Sequence, residues 1–340
     1  TGQPNGVKVK HSNVWNILLT QPGNLGMKLG LKVSQILNVS FDMAMWEILG
    51  ALSHGCTLII RGKDIEAAVK KADIVIATPT ILAALDAKKL THIKTAAVAG
   101  EPCPASLANT WASFCNFYNC CGPTEVTIIN TMQKYDPKKG HLTIGKPTPN
   151  NTVYILDENL KPCPIGETGE IWAGGDCVTS GYLNNAELTR ERYRLDPFLG
   201  HENIMFRTRD LGRWVANGEI EHFGRTDDQV KIRGFRVELD SVSNALESFG
   251  ACQQAVTLKL DSRNLVAFVR PPYLDLKQME EQLRKVLPYY SIPSFIIPLE
   301  SFPMTSRGKV DKRALTIMAV KLIDLSKTPE RLPTLIGALA

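Results

Sequence analysis

The string Asn119-Cys-Cys-Gly-Pro-Thr-Glu125 follows a short apolar run and sets a hydroxyl beside a carboxylate on a Gly-Pro turn. Such a turn exposes backbone, so Thr124 suits a phosphate contact and Glu125 a Mg²⁺ contact. Taken alone, the string reads more readily as a surface turn leading into a helix. Four more strings follow in order. Gly169-Glu-Ile-Trp-Ala-Gly-Gly175 leads to Val178-Thr-Ser-Gly-Tyr-Leu183, and Arg207-Thr-Arg-Asp-Leu211 comes next. Gly224-Arg-Thr-Asp-Asp-Gln-Val-Lys-Ile-Arg-Gly234 and Thr305-Ser-Arg-Gly-Lys-Val-Asp311 complete the set.

These residues must be positioned by the elements around them. Asp42–Leu49 has helical periodicity, stopped near Gly55, and Thr57–Ile60 reads as a short buried strand. A helix is expected over Ile65–Ala72 and a strand over Ile74–Ala77, with Thr78-Pro79 as N-cap and first helical position. Strands Thr95–Ala99 and Asn116–Asn119 then run into Gly100 and the Gly122-Pro123 turn. Repeated strand and helix units imply an α/β domain with a largely parallel sheet, whose ligands sit beyond the carboxyl ends of the strands. From about residue 150 to 223 the texture becomes β-rich, with hairpin strands at Thr152–Asp157, Gly169–Gly175 and Arg213–Phe223 and a turn at Asn217-Gly218. After Gly224 a compact α+β subdomain is expected. It has helices near Ser241–Phe249 and Lys277–Val286 and strands near Ala255–Leu260 and Asn264–Arg270.

Composition narrows the classes. The 340 residues include 44% hydrophobic and 21% charged side chains, which excludes disordered, collagen-like and coiled-coil chains. Lys and Arg number 39 against 34 Asp and Glu, a net +5, and the two signs are interleaved, so no nucleic-acid partner is implied. Eight cysteines contain no C-x-x-C, which points away from zinc and dithiol chemistry and toward a reducing, cytoplasmic setting. No apolar run approaches the roughly 18 residues that span a bilayer. The chain opens at Thr1 without a Met and is expected to be part of a longer polypeptide.

The five ordered motifs resemble the adenylation domains of non-ribosomal peptide synthetases, within the adenylate-forming superfamily. Asn38–Asn130, with Gly100-Glu-Pro-Cys-Pro104, is most similar to fungal ferrichrome-type siderophore synthetases. The resemblance implies a two-part domain. Residues 1–226 form the carboxyl-terminal portion of a large core of parallel-type sheets and helices, with a phosphate-loop remnant at 1–7 and a β-rich layer. Residues 227–317 form a small mobile subdomain after a hinge at Asp227, and 318–340 a tail or linker. The implied activity is ATP-dependent formation of an aminoacyl-AMP, followed by transfer to the phosphopantetheine thiol of a carrier domain. ATP and Mg²⁺ are the implied cofactors. Carrier and condensation domains of the same synthetase are the implied partners.

By the same resemblance Asp210 grips the ribose hydroxyls, with Arg225 beside it, and Gly100, Glu101, Cys121 and Thr124 complete the ATP site with Glu125 on the metal. Lys309 matches the catalytic lysine, whose charge bridges the attacking carboxylate and the α-phosphoryl oxygens. Asp42 matches the acid that pairs with a substrate α-ammonium, although it could equally cap its helix. Met43, Trp46, Ala77, Ala97, Ala99, Cys120, Ile128 and Ile129 match the rest of the substrate pocket. Three alanines give it volume and nothing supplies a buried counter-charge, which favours a large neutral side chain such as an Nδ-acyl-Nδ-hydroxy-ornithine, with Leu or Phe as the plainer alternative.

Three positions depart from the family pattern. Asn5 stands where the phosphate loop usually has Lys, Cys121 replaces an adenine-stacking aromatic residue, and Arg209 replaces a Gly beside Asp210. Roughly 150–200 residues that precede this point in the family are not in the chain, and the chain alone is expected to be inactive and unable to complete its sheet. Two other functions remain open at this level: a non-catalytic module that scaffolds carrier domains, and an acyl-CoA or aryl-acid ligase. The latter has no ammonium for Asp42 to pair.

Overall fold

The computed structural model describes residues 5–200, 202–227, 229–249, 251–305 and 310–326. Contacts divide the chain into two compact units, one running from Asn5 to Asp227 and the other formed by the residues beyond it.

In the first unit, α1 (His11–Leu19) precedes an alternation of strands and helices. These are β1 (Lys32–Gln35), α2 (Asp42–Ser53), β2 (Thr57–Ile60), α3 (Ile65–Val69), β3 (Ile74–Ala77), α4 (Pro79–Ala83), β4 (Thr95–Val98), α5 (Ala105–Ala112) and β5 (Asn116–Cys121). With β6 (Thr131–Lys134) and β7 (Lys146–Pro147) they build a sheet in the order β2-β1-β3-β4-β5-β6-β7. The pairs from β2 to β5 are parallel, while β6 and β7 return antiparallel. Every residue of β3 and β4 is buried, the state of strands covered on both faces; β3 reads as an unbroken apolar run, and β4 as one after its first residue, Thr95. Their core includes Trp46, Trp111 and Phe117, all under 2% exposed. The start of α4 is set as its sequence implies, with the Thr78 hydroxyl accepting from Ile81 N at 3.3 Å and Pro79 in the first turn.

The second layer contains β8 (Asn151–Leu156), β9 (Gly169–Gly175), α6 (Ala186–Arg192), β10 (Tyr193–Leu195), β11 (Ile204–Trp214) and β12 (Ile220–Arg225). The strands are antiparallel in the order β10-β11-β9-β8, with β12 also on β11. Asn217 and Gly218 (φ +74°) turn β11 into β12, as the dipeptide implies.

The second unit pairs β13 (Gln229–Ile232) with β14 (Phe235–Glu238), then continues through α7 (Leu239–Glu247), β15 (Gln254–Lys259), β16 (Leu265–Arg270), α8 (Leu276–Val286), β17 (Phe295–Pro298) and α9 (Lys312–Ser326). The last three strands form a sheet in the order β15-β16-β17.

The α/β class holds, and several details differ from the sequence reading. Thr57–Ile60 is an edge strand instead of a buried one, since β2 ends the sheet order and leaves Ile60 73% exposed. The helix expected to reach Ala72 stops at Val69, and the strand expected to end at Asn119 continues to Cys121. Residues 318–326, read as tail, are helical: Leu315, Ala319 and Ile323 recur every four residues and bury one face of α9 in an apolar cluster. Helices α1, α5 and α6, the β13–β14 hairpin and β17 were not read from the sequence. Among the described residues no helix is long and apolar enough to cross a membrane.

Candidate active site

Most of the candidate residues of the first unit sit at or just beyond the carboxyl ends of β3, β4 and β5. Gly100 has φ +89°, and a Cβ built there would lie 3.7 Å from both Met43 Sδ and Thr78 Cγ2. The end of β4 thus meets the start of α2 and the turn after β3. Next to Gly100, the Glu101 carboxylate accepts from Thr80 N at 3.0 Å through Oε2, while its buried Oε1 has no hydrogen-bond partner. An orphan carboxylate oxygen at a strand end is a group for a ligand donor to satisfy.

Asp42 is the first residue inside α2, not its cap. Phe41 occupies the N-cap position without a side-chain bond, so the capping alternative for Asp42 does not hold. The same helix carries Glu47, five residues on and fully buried. Glu47 Oε1 accepts from Ile36 N at 2.8 Å and Oε2 from Leu37 N at 3.1 Å, tying α2 to the end of β1. Desolvation pushes the Glu47 carboxyl up to about 8, against the lowering effect of these donors.

Met43, Trp46, Ala77, Ala97, Ala99, Cys120, Ile128 and Ile129 all belong to one buried apolar cluster. Trp46 is fully buried and donates its indole N–H to Gly23 O at 2.7 Å. Ala97 pairs with Ile76 and Tyr118, and Ala99 lies two residues on, on the same face. Ala77 pairs with Val98, one residue out of phase, so the register does not place it on the face of Ala97. Burial drives the Cys120 thiol well above its usual range, leaving it a neutral lining group.

The Gly-Pro-Thr-Glu turn is not a surface turn. Glu125 is 1% exposed, in a short 3₁₀ turn over Thr124–Val126, and its Oε1 accepts from the Tyr182 hydroxyl at 2.6 Å. Gly122 is fixed by close approach, because a Cβ there would lie 2.5 Å from Ile129 Cα and 2.9 Å from Asn130 N. The loop closes through Asn130 N to Cys121 O at 3.0 Å and passes through two left-handed residues, Thr127 (φ +57°) and Ile128 (φ +74°). A β-branched residue there is strained by about 1–3 kcal/mol, a cost typical of functional loops. Thr127 is locked by its hydroxyl, which donates to Cys177 O at 2.7 Å.

Asp210, Arg225 and Asp227 form one network. Arg225 Nη1 donates to Asp210 Oδ1 at 2.9 Å, and its Nε and Nη2 grip both oxygens of Asp227 at 2.8 and 3.0 Å. His222 Nε2 lies 3.4 Å from Asp210 Oδ1. Arg209, in the position where the family pattern has Gly, has φ +62° within the irregular stretch of the β11–β9 pairing between Arg207 and Leu211, the conformation a glycine would take without strain. Its guanidinium pairs with Glu191 and reaches Asp227 Oδ2 at 3.7 Å. Lys309 and residues 1–4 lie outside the described residues.

Sequence reasoning missed Glu47, Tyr182 and Glu191. Tyr182 did carry a signal, as part of a singled-out string that had no assigned role. Among the described residues no cluster of three or more metal-ligating side chains occurs. A Mg²⁺ that takes one buried carboxylate and completes its shell with phosphate oxygens and water fits Glu125; a cage made only of protein would not. A cleft of about 460 Å³ lies at the amino ends of β3, β4 and β5, beside Ile74, Thr95 and Asn116, at the opposite edge of the sheet. It is separate from these groups.

A parallel sheet that gathers glycine turns and carboxylates at its carboxyl ends, with an antiparallel layer that carries an Asp–Arg–Asp network, defines an adenylate-forming fold. An adenylation domain of Vibrio cholerae solved with glycyl-adenosine-5'-phosphate shares this fold, with a TM-score of 0.84 and 22% identity over 94% of this chain and 65% of that one. A four-domain non-ribosomal peptide synthetase solved with AMP and glycine superposes with a TM-score of 0.59 and 30% identity, over 92% of this chain and 25% of that one. The family described as AMP-binding enzyme matches residues 1–183, and the chain belongs to that family. An adenylate-forming reductase of Coprinopsis cinerea is 50% identical over 94% of this chain and 31% of its own length. A non-ribosomal peptide synthetase of Aspergillus fumigatus is 35% identical over 93% of this chain and 14% of its own. The chain thus spans about a third or less of these two relatives.

Proposed function

We propose that this chain carries out the carboxylate-activating step of a larger enzyme, making an aminoacyl-AMP and pyrophosphate from ATP and an α-amino acid. The observation that carries the reading is the convergence of the Gly100-Glu101 and Gly122–Glu125 turns at the ends of adjacent parallel strands, with Glu125 buried and held. A substrate carboxylate oxygen attacks the α-phosphorus and the bond to pyrophosphate breaks. Asp210, braced by Arg225, receives the ribose hydroxyls, and Lys309 offsets the repulsion between the two anions. Bound Mg²⁺ neutralises phosphate charge, and Glu125 is the residue that would hold it. Asp227 is the proposed hinge for the second half-reaction, transfer to a carrier thiol.

Asp42, half-buried at the start of α2 and next to Met43 of the apolar cluster, supports an α-amino acid with an uncharged side chain. A free ornithine ammonium would be desolvated among Met43, Ala97, Ala99 and Ile128 at a cost of several kcal/mol. An Nδ-acyl-Nδ-hydroxy-ornithine meets this requirement, and its assignment rests on the sequence resemblance. A second reading concerns the fate of the acyl group. The 50% identity to an adenylate-forming reductase, against 35% to a peptide synthetase, supports reduction of the activated group in place of peptide bond formation.

The test is ATP–pyrophosphate exchange by the full-length protein across a panel of carboxylic acids. Amino acids with long neutral side chains should support exchange, and their des-amino analogues and free ornithine should be at least tenfold poorer. Equal exchange with des-amino acids would remove Asp42 from recognition and return the chain to the acyl-acid ligases.

A further inference from the structure

The motif Val178–Leu183 has no role in the chemistry above, yet it is bonded both to residues 6–8 and to Glu125. Its backbone pairs antiparallel with the end of the phosphate-loop remnant, through a bridge between Val7 and Tyr182. Lys8 N donates to Gly181 O at 2.9 Å, Ser180 N to Lys8 O at 2.9 Å and Leu183 N to Gly6 O at 2.7 Å. On the inner side, the same segment holds Glu125 by three hydrogen bonds. The Tyr182 hydroxyl donates to Glu125 Oε1 at 2.6 Å, and Thr179 donates to Glu125 O through both its backbone N–H (3.1 Å) and its hydroxyl (3.0 Å).

Because the single Thr179 hydroxyl proton is spent on that carbonyl, Tyr193 must be the donor in the 2.8 Å contact between the two hydroxyls. Tyr193 also meets Tyr182 edge to face, with centroids 5.7 Å apart. Glu125, Thr179, Tyr182 and Tyr193 are all at least 92% buried. Gly181 has φ +95°, and a Cβ there would come within 2.5 Å of Thr189 Cγ2, so the chain lies flat against α6 and Tyr182 is driven inward. Tyr182 N is fixed in turn by Thr189 Oγ1 at 3.0 Å.

We infer that Tyr182 is a positioning residue that fixes the Glu125 carboxylate relative to residues 6–8 at the end of the phosphate-loop remnant, so that one segment holds both. The inference rests on the reading of Glu125 as the metal ligand of bound ATP. Partners of this kind that orient a ligating carboxylate are worth about 10–100-fold in metal affinity.

The experiment measures Mn²⁺ affinity by electron paramagnetic resonance in the full-length protein with a non-hydrolysable ATP analogue. Tyr182→Phe removes one hydroxyl and keeps the ring packed against Tyr193; it should weaken Mn²⁺ binding about tenfold with little change in melting temperature. Thr179→Val, which removes the hydroxyl bond to the Glu125 carbonyl and leaves the backbone one, should shift affinity in the same direction and serves if the first variant does not fold. Wild-type Mn²⁺ affinity in a folded variant would overturn the positioning role while leaving the proposed function intact. Failure of the wild type itself to bind Mn²⁺ with the nucleotide would overturn both.

Discussion

At the scale of single residues, the chemistry depends on side chains whose charge state the fold controls. Glu47 is the clearest case. Its carboxyl is raised from 4.5 to about 8 by burial, so the folded protein binds a proton there that the unfolded chain has released over that interval. Stability from this group is therefore full at low pH and declines as pH rises from about 4.5 through about 8. Urea titrations at pH 6 and pH 8 should show wild type losing stability across the interval and Glu47→Gln losing less; parallel slopes would contradict the assignment. Glu125 was legible as a candidate because its motif is local, and Asp42 only through the family resemblance. Tyr182 was not, because its contact with Glu125 spans 57 positions and no local pattern announces it.

At the scale of elements, the site exists because strands end where glycines permit the chain to turn. Strands β3 and β4 were legible nearly residue for residue, being buried on both faces and hence apolar at every position but Thr95. Helix α6 was not, since Ala186–Arg192 has few apolar residues and is fixed by the Asn185 side chain, which accepts from Leu188 N at 3.1 Å. The turn after β5 offers a direct test. Gly122→Ala would press a methyl group into the backbone of Ile129 and Asn130, which cannot yield without opening the loop. A loss of about 1–3 kcal/mol is expected, together with a fall in nucleotide affinity, because Thr124 and Glu125 move with the loop. Calorimetry and nucleotide titration of this variant check both, and unchanged values would show that the loop relaxes freely.

At the scale of the whole molecule, the boundary between the two compact units falls immediately after Asp227, whose carboxylate Arg225 holds with both arms of its fork. The α+β texture of the second unit was legible from the spacing of its strands and helices. The extent of α9 was not, because its apolar face only becomes apparent once Leu258, Val266 and Phe268 are seen to cover it. The central claim is that this molecule forms an acyl-adenylate with Lys309 as its electrostatic partner. It is tested most directly by quantifying aminoacyl-AMP in single-turnover mixtures of the full-length protein, ATP, Mg²⁺ and a neutral long-chain amino acid, for wild type and Lys309→Ala. The account predicts substrate-dependent adenylate in the wild type and about 10²–10³ less in the variant, at unchanged melting temperature. Equal adenylate from both proteins, or none from the wild type with any carboxylic acid, would contradict it.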